Sequence, residues 1–491
     1  MDRTISLISL GCAKNLVNSE QMLYLLSEAG YKLVPEPDGA DAVIINTCGF
    51  IDAAKSEAID TVLEMAELKK AGKLGKIIVT GCLTERYQDT VMQELPEIDA
   101  VLGVGSFGDI VEAVTKALNG ESVSSFGDKN APVEETPRVV STGPSWAYLR
   151  IAEGCNNFCA FCAIPYIRGR YRSREIENVL DEARELAEHG VKELIVIAQD
   201  ITRYGTDLYG KRCLAELCRK LAEIDGIEWI RLHYLYPDQF DDELIDEIAN
   251  NEKVVKYLDI PIQHINNDIL RSMNRRGTGD DIRKLFKELR ERIPGVVLRT
   301  SLISGLPGEG EAEFEELCCF LREAKIERAG VFPFSPEEGT PAAKMPHVDA
   351  EEAQRRADLI LEIQAGVMDE FNASLIGKTL DVLCLDYDED SQMWVGRSCY
   401  DSPDIDGLVL LMCVVMLVGK VMKNEAKPTP APAPTPEKAP EPAPGSAGEL
   451  KLYDTDPRDA AMIMAIVADS LGKPLNELRF ISIKEVKDDE V

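Results

Sequence analysis

Six cysteines, set as two triads at the ends of strand-like segments, restrict this chain more than any other feature. Cys155, Cys159 and Cys162 form a CxxxCxxC stretch just after an apolar run that begins at Trp146. Cys12, Cys48 and Cys82 are 36 and 34 residues apart, and each follows a short β-branched run, at 4–10, 42–46 and 76–80. Met1-Asp2-Arg3 leads straight into the first of these runs, with no secretory signal, so the expected compartment is the reducing cytoplasm. There, cysteines in short motifs read as metal or redox ligands rather than disulfides.

The 491 residues are too many for one ordinary core, and two to four domains are expected. In 1–120 the three strand-like runs alternate with helical patterns, the first at 18–29, which implies a parallel sheet. Loops at the carboxyl edge of such a sheet lie side by side, so three thiols there converge. Residues 121–144 form a polar connection. A second βα series follows, with strand candidates at 146–152, 194–198, 229–236, 257–263, 296–304 and 330–334. Six such units, within a domain at 141–371, predict an open or closed parallel barrel with its active site above the strand ends. The expected class is therefore α/β: an N-terminal parallel-sheet domain and a partial (β/α)6 barrel. A charged helix at 349–371 leads into a truncated small β module at 372–407. An appended tail comes last. It comprises an apolar segment at 408–422, a Pro/Ala-rich linker at 423–449 and a small helical or mixed unit at 450–491. The apolar core of the tail, 408–418, is eleven residues, against the ~20 a membrane span needs; it reads either as a short membrane helix or as a buried part of the β module.

Three thiolates on one short loop grip three irons of a cubic cluster and leave the fourth open to an exogenous chelator. Phe158 and Phe161, between the ligands, are expected to shield such a cluster from water. The alternative for Cys155, Cys159 and Cys162 is zinc, which wants four ligands, and no second cysteine pair or histidine lies nearby in sequence. Cys12, Cys48 and Cys82, each alone, read as small buried hydrophobes; together they read as a second three-thiolate site. Cys213, Cys218, Cys318 and Cys319 fall on helical stretches and read as core, and Cys413 lies in the apolar run. With 86 acidic and 54 basic residues the net charge is −32, which repels a phosphate backbone and favours a basic protein partner. Gln199, Asp200, Arg299 and Ser301 lie near strand ends as candidates for cofactor or substrate contacts, or as ordinary polar residues. His264 reads as facing the barrel mouth or as a satisfied buried histidine. Arg168, Arg170, Arg172 and Arg174 read as a solvated basic loop, or as contacts to a carboxylate or to the cluster region.

Over about residues 3–400 the chain resembles the methylthiotransferase branch of the radical S-adenosylmethionine enzymes. The resemblance rests on Gly11-Cys12, Asn46-Thr47-Cys48, Gly81-Cys82, the stretch EGCNNFCAFC at 153–162 and GLPGE at 305–309. SLGCAKNLVNSE at the start, AQDITRYG at 198–205, RLHYLYP at 231–237 and YLDIPIQH at 257–264 look like the members acting on a ribosomal protein rather than on transfer RNA. The resemblance implies two [4Fe-4S] clusters, on Cys12/Cys48/Cys82 and Cys155/Cys159/Cys162, and S-adenosylmethionine chelated at the open iron of the second. It implies a methylthio group added to the β-carbon of an aspartate in ribosomal protein uS12, with an electron donor and a sulfur source as further partners. Such enzymes end in a TRAM-like β-barrel module. Here that module gives way to a tail resembling the small membrane subunit of sodium-pumping decarboxylases, which would add membrane contact through 408–422. Two other readings stand beside this one: a transfer-RNA methylthiotransferase, and a non-catalytic membrane-associated protein.

Overall fold

The computed structural model describes residues 3–389, 393–403, 405–411, 451–453 and 482–484. Residues 1–414 form one compact unit and 415–491 another. In the first, the β-branched runs become strands as expected: β1 (Thr4–Ser9), β2 (Lys32–Leu33), β3 (Ala42–Thr47), β4 (Lys76–Gly81), β5 (Ala100–Leu102) and β6 (Val123–Ser125). All pair in parallel, in the order β2-β1-β3-β4-β5-β6. The central strand β3 is buried along its whole length, as an uninterrupted apolar run between helical layers requires. Because β1, β3 and β4 are neighbours, Ser9 lies beside Asn46 and Thr47 beside Gly81. The loops bearing Cys12, Cys48 and Cys82 therefore leave one edge together. The helix after β1, Ala13–Glu28, starts five residues earlier than its sequence pattern suggests, with Cys12 as its N-cap residue.

The second sheet contains β7 (Trp146–Arg150), β10 (Glu193–Ile197), β11 (Trp229–Leu232), β12 (Val254–Asp259), β13 (Val297–Ser304) and β14 (Arg328–Pro333), parallel and in chain order. Its outer strands β7 and β14 do not pair, so the barrel is open. Between β7 and β10, the short antiparallel pair β8 (Ala152–Glu153) and β9 (Arg172–Ser173) closes the base of the CxxxCxxC loop. One sheet face supplies Ala147, Leu149, Leu194, Val196, Ile230, Leu232, Leu258 and Leu298 to a core shared with the surrounding helices. The opposite face is polar and aromatic.

Its amino-terminal end is filled from the C-terminal module, the antiparallel sheet β15 (Val382–Asp388), β16 (Met393–Ser398) and β17 (Val409–Leu411). Glu193 is fully buried and accepts from Arg231 Nε at 2.7 Å and from Arg397. Asp401 pairs with Arg328 at 3.1 Å, Tyr257 donates to Asp406 at 2.7 Å, and Ser402 and His233 share a 3.0 Å hydrogen bond. Burial lowers the His233 pKa to about 3, so the ring is neutral in that contact.

The β module does not stop at Gly407. The first residues of the apolar run form β17, whose Val409 pairs with Gly396, so this part of the run is sheet rather than membrane helix. No described helix is long and apolar enough to cross a membrane. The rest of that run, with Cys413, and the Pro/Ala linker lie outside the described residues. In the second unit Lys451–Tyr453 and Ser482–Lys484 pair in parallel.

Removing one partner from a buried, paired charge costs far more than the pair contributes, because the other charge stays behind in the protein. Glu193→Ala strands two buried guanidinium groups and is expected to cost about 3–5 kcal/mol, read by urea denaturation.

Candidate active site

Asn15, in the first turn of the helix that Cys12 caps, fastens the first triad. Its Nδ2 donates to Leu10 O at 3.0 Å and to Thr47 O at 2.9 Å, and its Oδ1 lies 3.8 Å from Cys82 Sγ. Asn46 Nδ2 in turn donates to Asn15 O at 2.8 Å. The loops approach so closely that a Cβ on Gly11 would stand 2.7 Å from Cys48 Cβ. Gly81 has φ +104°, and a Cβ there would meet Asn46 Oδ1 and Thr47 O at 2.5 Å. All six triad cysteines are free thiols, with Cys12 exposed and Cys82 buried. Burial raises the pKa of Cys48 to about 11, the neighbouring Cys82 adding to the shift. At Cys12 desolvation acts the same way, but the charges of Lys14 and Arg168 and the amides of Asn15 and Lys14 outweigh it and hold this thiol below its ordinary value.

The second triad sits on the loop after β8. Cys155 N donates to Gly169 O at 3.1 Å, and Asn157 N lies 3.4 Å from Cys155 Sγ. Cys159 Sγ is 3.9 Å from the Tyr236 hydroxyl and 3.8 Å from Arg275 Nη1. Burial raises the pKa of Cys155 to about 11 and that of Cys162 further. Phe161 is half-buried against Ala160, Ile269, Met273, Leu306 and Ala342. Phe158 has φ +48°, and its exposed ring meets Tyr166 edge-on at 6.2 Å. Asn274 holds that turn by donating to Phe158 O at 2.9 Å.

The two triads adjoin. Cys82 packs against Ala163 and Ile167, one and five residues after Cys162. Arg168, 2 % exposed, donates to Glu153 at 2.8 Å on the side of Cys155 and to Asn15 on the side of Cys12. Desolvation would raise the Glu153 pKa; Arg168 and Arg150 outweigh it and bring it to about 2. The expected solvated basic loop is thus only partly present. Arg168 and Arg174 are buried in ion pairs, the latter with Glu135 and Glu182, and Arg170 is exposed. Burial without a counter-charge is costly, and the carboxylates that compensate it lie outside the loop itself, 15 residues from Arg168 and 8 and 39 residues from Arg174.

Gln199 and Asp200, after β10, join this region. Gln199 donates to Glu153 at 2.7 Å, and Asp200, its pKa raised by burial, accepts from Asn157 of the thiol loop at 2.9 Å. Arg299 and Ser301 share one side of β13, where Arg299 pairs with Asp259 at 2.6 Å. His264 is a buried structural histidine: Nδ1 accepts from Asn266 N at 3.0 Å, and Nε2 lies 3.2 Å from Glu309. Cys213, Cys218 and Cys318 are core as expected, while Cys319 is exposed on its helix. Asn15, Glu153 and Tyr234 were not singled out in the sequence, although each lies within a quoted motif, because a motif does not show which of its polar residues reaches across to the other loop.

The donors suit iron–sulfur clusters. Thiolates are soft ligands, and each site offers three. Among the described residues no three His, Cys, Asp or Glu side chains converge as on a single ion; a cubic cluster gives each thiolate its own iron and asks for wider spacing.

An open, sequential sheet of six parallel strands with a three-thiol loop after the first is the scaffold of a radical S-adenosylmethionine enzyme, and the Radical SAM superfamily model matches residues 149–321. An uncharacterized family, UPF0004, matches 4–103, and the TRAM domain matches 376–425, through the apolar run. The ribosomal protein uS12 methylthiotransferase RimO of Caldanaerobacter subterraneus is 49 % identical over 409 residues, 83 % of this chain and 93 % of that protein. That of Clostridioides difficile is 46 % identical over 412 residues, 84 % and 93 % of the two chains. Among solved structures, the radical S-adenosylmethionine methyltransferase TsrM of Kitasatospora setae, with cobalamin and a [4Fe-4S] cluster bound, shares the fold at TM-score 0.50 and 14 % identity, over 70 % of this chain and 74 % of that one. The chain belongs to the RimO family of ribosomal protein uS12 methylthiotransferases.

Gly81→Ala places a side chain where the backbone is left-handed and the space is filled. It is expected to cost about 1 kcal/mol or more, read as a fall in the thermal unfolding midpoint of the cluster-free protein.

Proposed function

We propose that this protein adds a methylthio group to the β-carbon of an aspartate in ribosomal protein uS12, using S-adenosylmethionine and two [4Fe-4S] clusters. The observation that carries the reading is the joining of two three-thiol sites through Arg168, in a chain that spans nearly the whole length of relatives bearing this activity. Cys155, Cys159 and Cys162 would hold one cluster, and Cys12, Cys48 and Cys82 the other. When bound, these groups supply the one-electron cleavage of S-adenosylmethionine and the sulfur that is transferred. Gln199, Asp200, Arg299 and Ser301 would orient cofactor and substrate from the strand ends and the inner face. Arg168, Glu153 and Asn15 hold the two thiol loops in register and fill the space between them, excluding water. An electron donor and a sulfur source are separate partners, and the work belongs to the cytoplasm, where ribosomes are made. A basic ribosomal protein also suits the acidic net charge of −32 better than transfer RNA does.

The test is anaerobic iron analysis of reconstituted protein together with mass spectrometry of uS12 after turnover. Wild type is expected to carry about eight irons and the Cys12→Ala/Cys48→Ala/Cys82→Ala variant about four. Only wild type should add a methylthio group to uS12. About four irons in both proteins, or unmodified uS12 with fully loaded enzyme, would overturn the reading.

A further inference from the structure

The CAKN turn places one charged group whose part so far is confined to lowering the Cys12 thiol. Lys14 lies two residues beyond Cys12 and is only 5 % exposed. Among the described residues its ammonium makes no hydrogen bond and no ion pair; it lies over the Tyr234 ring, whose centroid is 3.0 Å from Nζ. A nearly buried ammonium is costly unless an anion compensates it. The other cations around it have carboxylate partners: Arg168 and Arg150 share Glu153, and Arg299 pairs with Asp259.

The surface beneath Lys14 is built with strain. Tyr234 follows β11 with φ +65°, a conformation bulky residues rarely adopt. It is held there by hydrogen bonds from its amide to Asp259 at 3.1 Å and from Ile201 N to its carbonyl at 3.1 Å. Asp259 also receives Arg299 at 2.6 Å, so one carboxylate fixes both the tyrosine backbone and the neighbouring guanidinium. What remains is an aromatic floor under a positive charge that no carboxylate binds, on the inner face of the sheet and next to the first triad.

We propose that Lys14 receives the side-chain carboxylate of the substrate aspartate. The inference rests on the uS12 reading above and names the group that recognises its residue. In that reaction one carbon both loses hydrogen and gains sulfur, so it must stand where the two thiol sites meet, and the carboxylate is one bond away. A carboxylate placed there needs a cation that no carboxylate of the protein already binds, and Lys14 is one.

The test uses reconstituted full-length enzyme with two probes, uS12 and uS12 carrying asparagine in place of the modified aspartate. Binding is followed by fluorescence anisotropy, beside iron content and S-adenosylmethionine affinity. Wild type is expected to bind the aspartate form more tightly than the asparagine form. Lys14→Met should weaken binding of the aspartate form by roughly 30-fold and leave the asparagine form almost unchanged, erasing the preference. Lys14→Arg should restore part of it, and Tyr234→Leu, outside the thiol loops, should reduce it. Retention of the full preference by iron-replete Lys14→Met would overturn the inference. So would equal iron loss in Lys14→Met and Lys14→Arg, which would assign the residue to cluster retention, or weakened S-adenosylmethionine binding with uS12 binding intact. Failure of wild type to modify uS12 at all would instead remove the substrate reading on which the inference stands.

Discussion

The Arg168 guanidinium ties the two halves of this molecule together. It is a charge taken out of water, and Glu153 and two asparagines, Asn15 and Asn18, offset the cost of burying it. Glu153 belongs to the strand that introduces Cys155, and Asn15 to the helix that Cys12 caps. A single side chain therefore fixes the separation of two thiol sites carried by different sheets. Glu153 is also satisfied by Arg150, Gln199 and the Gly154 amide, so the link is a closed network rather than one ion pair. Networks of this kind are rigid when complete and costly when broken.

The same economy of buried charge shapes the other end of the open barrel. Glu193, Arg231, Arg397, Arg328, Asp401 and Asp406 fill its amino-terminal end with matched partners from barrel and C-terminal module. An incomplete barrel would otherwise expose this polar inner face along its length. With one end occupied, only the carboxyl end remains, and the CxxxCxxC loop and the residues after β10 are there. The module that sequence reading treats as truncated is thus a structural partner of the barrel through 397–406, whatever it contributes to substrate docking.

Much of the fold was legible because its signals are local. The strands at 42–47 and 76–81 are apolar runs bounded by glycine, and a parallel arrangement follows from the helices between them. The two cysteine triads were legible for the same reason: each residue follows a strand, and parallel strands deliver their ends to one edge. Strand ends were less legible. Apolar residues continue beyond β11 and β12 into the loops that form the rim, where Tyr234 and Gln263 turn to positive φ. The outward turn of Phe158 was also hidden, since it depends on Asn274, more than a hundred residues away.

By itself, the sequence determined the class of chemistry, since thiol count and spacing decide which cluster a loop holds, and it determined the layered α/β architecture, since periodicity decides which face of each element is buried. The tertiary structure decided which charges are spent and which remain available. Arg168, Arg174 and Lys14 look alike along the chain, as cations near cysteines. Only the packing of the folded chain gives the first two their carboxylates and leaves the third over an aromatic ring without one. Which buried charges find partners is set by how the chain packs, and proximity to a cysteine in sequence does not encode it.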